Sequence, residues 1–175
     1  MPEPSRRVSH VLIRDATPAD FDRLLEINEA NVPEVGPLDA ERLAFLVDES
    51  AIALVVVDDD DRLAGFCIVL APGSSYASVN YRWFMDRYDD ALYLDRVAFD
   101  AASQGRGLGR ALYAEVERRM AADFAEFPVL TLEVNVDPPN EPSLRFHRRQ
   151  GFVEVGRQTY GDDIEVSLMA RSGSE

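Results

Sequence analysis

Residues 99–110 read FDAASQGRGLGR, a glycine-rich stretch between an alternating apolar segment and an amphipathic one. The segment before it, residues 91–100, alternates in a way that predicts a β-strand with Asp95 on the same face as Val97 and Phe99. The segment after it predicts a helix, because apolar residues recur every four positions. These residues are Leu108, Leu112, Val116 and Met120. The chain therefore contains a strand, a glycine loop and a helix in direct succession.

The three glycines of this loop allow the main chain to turn sharply and to point several N–H groups at one spot. The N-terminus of the following helix adds partial positive charge there, so a pyrophosphate is the expected ligand. A simple tight turn is the alternative. The dinucleotide fingerprint GxGxxG is excluded, because its third glycine would fall on Arg110 or Leu112, depending on the frame.

The composition limits the function classes that need to be considered. The 175 residues, 46% hydrophobic and 29% charged, are typical of one globular domain. No residue is lysine, which excludes a P-loop motif and Schiff-base chemistry. The net charge of -14 argues against nucleic acid as a partner and indicates either solubility or attraction of a cationic substrate. With Cys67 as the single cysteine and no apolar run long enough for a membrane span, we expect a cytoplasmic protein.

The remaining segments complete the predicted fold. Their periodicity predicts helices or strands at residues 11–14, 18–31, 39–48, 51–57, 63–71, 129–136, 140–150, 152–160 and 164–169. The order β α α β β β α β α β β mixes hairpins with one strand–helix–strand crossover, which predicts a mixed sheet. The expected class is α/β (α+β), a three-layer domain with about six or seven strands and about four helices. We expect this domain over residues 8–171, with flexible termini at 1–7 and 172–175.

Two motifs resemble the signatures of a known family. Residues 104–109, QGRGLG, match the Q/R-x-x-G-x-G/A motif of the GNAT superfamily of acyl-CoA-dependent N-acyltransferases. Residues 140–152, NEPSLRFHRRQGF, resemble the second signature of that superfamily, which has an Asn and a Ser on a helix followed by Gly-Phe. The predicted order of elements is also similar to the GNAT fold over roughly residues 8–170.

The resemblance implies acetyl-CoA as co-substrate and names the residues that hold it. The backbone of Val97 and Phe99 would pair with the pantetheine arm, and Asn140 and Ser143 would lie beside the arm and its thiol end. The pyrophosphate would be held by Gln104, Gly105, Arg106, Gly107, Leu108, Gly109 and Arg110. No metal is expected.

The resemblance also implies direct attack of an amine on the thioester in a ternary complex. Asp95 is the first candidate for the general base; alternatively it pairs with Arg96 or Arg82, and Glu133 is a weaker substitute. The family frequently has a tyrosine at the position of His147. His147 is therefore either the acid that protonates the thiolate, a CoA contact, or a packing residue.

The predicted acceptor is a primary amine of a small molecule or peptide. Its pocket is expected to include the polar residues Asn28 and Asn31 and the aromatic residues Tyr81 and Trp83, which suit a cation. Neither nucleic acid nor a membrane is an expected partner, and the family resemblance allows a homodimer. The alternative function is a non-catalytic GNAT-fold module that binds acyl-CoA as a sensor or assembly subunit.

Overall fold

A seven-stranded mixed sheet forms the centre of the protein, which is described over residues 11–173 by a computed structural model. The strands are β1 Leu12–Asp15, β2 Ser50–Val57, β3 Leu63–Leu70, β4 Ala91–Phe99, β5 Val129–Asp137, β6 Val153–Tyr160 and β7 Ile164–Ser172. They are arranged in the order β1-β2-β3-β4-β5-β7-β6. Every neighbouring pair is antiparallel except β4 and β5, which are parallel. The predicted mixed sheet is confirmed.

Within residues 11–173, five helices cover the sheet, one more than the sequence predicted. They are α1 Phe21–Ala30, α2 Ala40–Glu49, α3 Val79–Met85, α4 Leu108–Asp123 and α5 Glu141–Arg149. Asp39 caps α2 by accepting a hydrogen bond from the Arg42 amide at 2.8 Å, and Asn140 caps α5. The additional helix, α3, lies in the aromatic connector, where the Ser78 hydroxyl accepts a hydrogen bond from the Tyr81 amide.

Apolar side chains pack on both faces of the sheet and produce three layers. One core contains Leu112 and Val116 of α4 together with Leu144 of α5. The other core contains residues of α1 and α2 together with Phe84 of α3. No helix within residues 11–173 is long and apolar enough to cross a membrane. The termini predicted to be flexible are 1–7 and 172–175; residues 1–10, 174 and 175 lie outside the described residues. Ser172 is the last residue of β7, paired with Val129, and the Gly173 amide donates to the Pro128 carbonyl, so the folded domain extends beyond the predicted end at residue 171.

The parallel pair β4 and β5 is joined only at its beginning. Their register covers three pairs, from Ala91 with Val129 to Tyr93 with Thr131. Beyond Tyr93 the two strands make no further pairs, although β4 continues to Phe99 and β5 to Asp137. A cleft therefore opens inside the sheet, between the carboxyl halves of its two parallel strands.

A β-bulge in β4 corrects one sequence prediction. Ile68 of β3 is paired with Arg96, but the next residue, Val69, is paired with Leu94, so Asp95 is the extra residue. The bulge reverses the alternation of side chains, and Leu94 and Val97 consequently pack in the same core. The prediction that Asp95 shares a face with Val97 and Phe99 was wrong, because strict alternation does not continue through a bulge.

Candidate active site

The cleft between β4 and β5 encloses a cavity of about 760 Å³. Its walls are the two separated strands, the glycine loop with the start of α4, the helix α5 and the loop after α1. Most of the predicted site residues line it: Asn31, Asp95, Val97, Phe99, Gln104, Gly105, Gly107, Leu108, Gly109, Arg110, Asn140, Ser143 and His147. Both sequence motifs therefore meet at one site.

The inner edge of β4 supplies free main-chain groups to this cleft. The Asp100 amide donates to the Ala64 carbonyl at 2.8 Å, which shows that the even-numbered residues at this end of β4 face β3. Since hydrogen-bonding directions alternate along a strand, the N–H and C=O groups of Val97 and Phe99 face the cleft. Asn31 Nδ2 donates to the Phe99 carbonyl at 3.0 Å. The remaining groups are available to an added strand-like ligand.

The glycine loop has the conformation of an anion-binding nest. Gly105 and Gly107 have φ values of +76° and +75°, in the left-handed region, and a Cβ atom on either would meet no other atom within 4 Å. Among residues 11–173, none of the amides of residues 105–110 has a main-chain acceptor: the preceding amide donates to Ala101, and the amide of Ala111 donates to Gly107. A pyrophosphate fits this loop, because the amides are free and the space above the glycines is open.

The side chain of Arg106 points away from the cleft. Its guanidinium lies 3.5 Å from the Asp58 carboxylate and 3.7 Å from that of Asp59, in the β2–β3 turn. Asp58 is buried and accepts hydrogen bonds from two amides of its own turn. Arg106 can therefore contribute its main-chain amide to the nest, whereas Arg110 and Arg149 are the arginines of the loop and α5 that line the cavity.

His147 is a neutral, buried residue. Its Nδ1 lies 2.8 Å from the Ser143 carbonyl, and this nitrogen must carry the ring proton because a carbonyl only accepts. Nε2 then accepts a hydrogen bond from the Tyr113 hydroxyl at 2.6 Å. Burial lowers the pKa of His147 to about 4. The predicted role as a cationic acid is not supported at neutral pH, and the packing interpretation agrees with the geometry.

Asp95 is also engaged within the protein. Its carboxylate accepts a hydrogen bond from the Tyr76 hydroxyl at 2.6 Å and forms an ion pair with Arg96 Nε at 2.9 Å. Arg96 in turn donates to Asn28 Oδ1 at 3.0 Å. The pairing of Asp95 with Arg96, one of the alternatives from the sequence, is the arrangement in the structure.

Glu133 of β5 is the carboxyl group with the properties of a base. It lines the cavity and accepts hydrogen bonds from the Tyr93 hydroxyl, 2.8 and 2.7 Å from its two oxygens, and from Asn80 Nδ2 at 3.2 Å. Burial and then the charge of Asp95 raise the pKa of Glu133 to about 8, against the opposing effect of these hydrogen bonds. The sequence signal for this residue is a single acid in the apolar strand VLTLEVNV.

Comparison with known proteins decides the family. The model of the acetyltransferase (GNAT) family matches residues 20–152. The chain belongs to this family. It is a GNAT acetyltransferase, and the prediction of an enzyme is confirmed. A search of the curated proteins found no match.

Solved structures share the fold of this GNAT acetyltransferase at low sequence identity. Ard1 from Thermoplasma volcanium is 19% identical with a TM-score of 0.76, and the alignment covers 94% of this chain and 99% of that one. NAA60 from Arabidopsis thaliana in complex with acetyl-CoA is 21% identical with a TM-score of 0.71, covering 93% and 99%. The ribosomal-protein-S18-alanine N-acetyltransferase from Escherichia coli is 19% identical with a TM-score of 0.69, covering 94% and 95%.

Three residues predicted to contact the acceptor do not line the cleft of the acetyltransferase. Asn28 is fully buried and bonds to Gly36 and Arg96. Tyr81 is buried in the core, where its hydroxyl donates to the Ala71 carbonyl at 2.7 Å. Trp83 packs against Gly156 of β6, and the Arg87 guanidinium lies over its ring, with Cζ 4.0 Å from the ring centroid. These three side chains therefore lie outside the lining of the cleft.

No candidate metal site is found in the described part of the chain. Within residues 11–173, no group of three or more His, Cys, Asp or Glu side chains is arranged to hold a metal ion. The acids of the β2–β3 turn instead form hydrogen bonds and ion pairs with their neighbours.

Proposed function

We propose that this acetyltransferase transfers an acetyl group to a primary amine of a small molecule or peptide, by direct attack in a ternary complex. One observation carries the proposal: a free strand edge, an anion-binding nest and a base-like carboxyl group all open into the same cleft. An acceptor that enters this cleft meets the end of the cofactor-binding edge and Glu133 together. Holding two reactants in this way removes much of the entropic barrier of a bimolecular reaction.

Main-chain groups hold the co-substrate in this proposal. Val97 and Phe99 would pair with the pantetheine arm, the amides of residues 105–110 would bind the pyrophosphate, and Asn140 and Ser143 would lie beside the arm. Acetyl-CoA supplies the thioester carbonyl that the amine attacks. Backbone recognition is independent of side-chain charge, so it can bind a polyanion although the protein carries a net charge of -14.

Glu133 acts as the general base of the reaction. A primary amine is cationic at neutral pH and must lose a proton before it can attack. Glu133 accepts this proton in its ionised form, and its pKa of about 8 is close to the pH at which an enzyme works. Asp95 has an indirect role in this proposal, since its charge contributes to the raised pKa of Glu133.

The departing thiolate of CoA takes its proton from solvent in this proposal. The Tyr113–His147 pair is not assigned this step, because Tyr113 donates its only hydroxyl proton to Nε2 of His147 and burial raises the pKa of Tyr113.

Turnover of acetyl-CoA across a panel of primary amines, followed by thiol release, tests the proposal. Glu133→Gln keeps the shape of the side chain and removes its basicity, so we expect kcat/KM to fall by about 10²–10⁴-fold. Glu34→Gln, on another carboxylate that lines the cavity, is the matched control and should retain activity. Acetyl-CoA binding, measured by calorimetry, should be unchanged in both. If no amine releases thiol above background, or if Glu133→Gln is as active as wild type, the proposal fails.

A further inference from the structure

A buried amide of helix α3 connects this helix with β5 and β6. Asn80 is only 4% exposed, and its Nδ2 donates to Oε1 of Glu133 in β5 at 3.2 Å. Its Oδ1 accepts a hydrogen bond from Nε2 of Gln158 in β6 at 2.8 Å. Neither Asn80 nor Gln158 lines the cavity, so both act on the site only through Glu133.

Asn80 makes the two oxygens of Glu133 inequivalent. The Tyr93 hydroxyl has one proton and lies at nearly equal distances, 2.8 and 2.7 Å, from Oε1 and Oε2. It therefore does not select one orientation of the carboxyl group. The bond from Asn80 reaches Oε1 alone and fixes the rotation of that group. Oε2 lacks this second donor, so it is the oxygen better placed to take a proton.

Gln158 supports the orientation in which the NH2 group of the Asn80 amide faces the carboxyl group. Because Gln158 donates to Oδ1, the NH2 group of Asn80 must point toward Glu133. The reversed amide would place its oxygen against the carboxylate, where two acceptors repel each other. The pair therefore forms a chain of donors that runs from β6 through α3 to β5.

We propose that Asn80, held by Gln158, is a positioning residue that orients the Glu133 carboxyl group for proton transfer from the acceptor amine. The proposal rests on the proposed function, in which Glu133 is the base. It assigns to α3 a role in the reaction.

The groups that face Glu133 determine the sign of the expected effect. Tyr93 and Asp95 of β4 and Tyr160 of β6 are its titratable neighbours, while its partner on β7, Leu168, is apolar. Burial and Asp95 favour the protonated form of Glu133, whereas the bonds from Tyr93 and Asn80 favour the ionised form. Loss of the Asn80 bond must therefore raise the pKa of Glu133 further.

The pH dependence of kcat/KM for the amine tests the assignment. In Asn80→Ala the acid limb of this pH profile, where activity rises as Glu133 ionises, should move to higher pH by about one unit. This is the pKa change that corresponds to one hydrogen bond to a charged group. Asn80→Asp places a second carboxylate beside Glu133, so its limb should move further and its activity should recover at high pH. Gln158→Ala should produce a smaller shift in the same direction. Val79→Ala, at an exposed neighbour on α3, is the control and should leave the limb in place.

The outcomes separate this inference from the proposed function. If Asn80→Ala and Gln158→Ala lower activity equally at every pH, with no shift of the limb, Asn80 is only structural and the inference is overturned. Glu133→Gln then still tests the base independently, since its retained activity would refute the base itself. Thermal melting of each variant gives the folded fraction used to normalise activity. Gln158 is partly exposed, so it provides the limb shift even if Asn80→Ala does not fold.

Discussion

Replacing His147 by glutamine should remove a pH-dependent loss of stability. Folding lowers the pKa of His147 from 6.5 to about 4 because the ring is buried, so the unfolded chain binds a proton more readily than the folded protein does. The stabilising contribution is complete above pH 6.5 and is lost as the pH falls toward 4. The full effect is about 3 kcal/mol, and about 2 kcal/mol is lost between pH 7 and pH 5.

Urea unfolding at pH 7, 6 and 5, with wild type and His147→Gln compared at each pH, measures this effect. The substitution also changes packing, but that change is a constant offset, and only the dependence on pH matters. Glu133 has the opposite slope, because its raised pKa destabilises the folded protein increasingly as the pH rises from 4.5 toward 8. This slope is common to both proteins and cancels in the difference. Parallel stability profiles for the two proteins would refute the assignment of a neutral, buried His147.

Three further substitutions test the glycine loop, the contact between Gly65 and Phe99, and the packing of Trp83. Gly107→Ala adds a Cβ at a φ of +75°, which costs about 1–2 kcal/mol and should weaken acetyl-CoA binding in calorimetry by about tenfold. Gly65→Ala would bring a Cβ to 2.7 Å from Phe99 Cε1 and 2.9 Å from the Ala98 carbonyl, so thermal melting should show a loss of about 1–3 kcal/mol. Trp83→Phe should lower the free energy of unfolding by about 1 kcal/mol and leave KM for the amine unchanged. A raised KM would show that Trp83 contacts the acceptor after all.

Local patterns predicted the elements of the fold well. The glycines at 105 and 107 occupy left-handed positions, as a sharp turn requires, and Asn140 and Asp39 cap the helices that they precede. The cofactor-side residues come together because they belong to two contiguous motifs. Short-range physics of this kind can be read directly from neighbouring residues.

The acid–base residues could not be predicted in the same way, because they depend on long-range packing. Nothing in the alternating sequence predicts the bulge at Asp95. The bulge places the Asp95 carboxylate where it bonds to Tyr76 and Arg96. The raised pKa of Glu133 depends on burial, and the neutrality of His147 depends on enclosure by aromatic rings. Neither the burial of a side chain nor its enclosure by aromatic rings can be predicted from the spacing of residues along the chain.

The early separation of β4 from β5 also bears on self-association. A strand edge with free amides and carbonyls usually recruits strands from other molecules, and proteins protect such edges at the rim of a sheet. Here the unpaired edge lies in the interior of the sheet, between α4 and α5 on one face and α1 on the other. A slender, extended ligand can reach it, but a second folded copy cannot. The enzyme thus keeps one strand edge open to a ligand without offering it to the strands of a second copy.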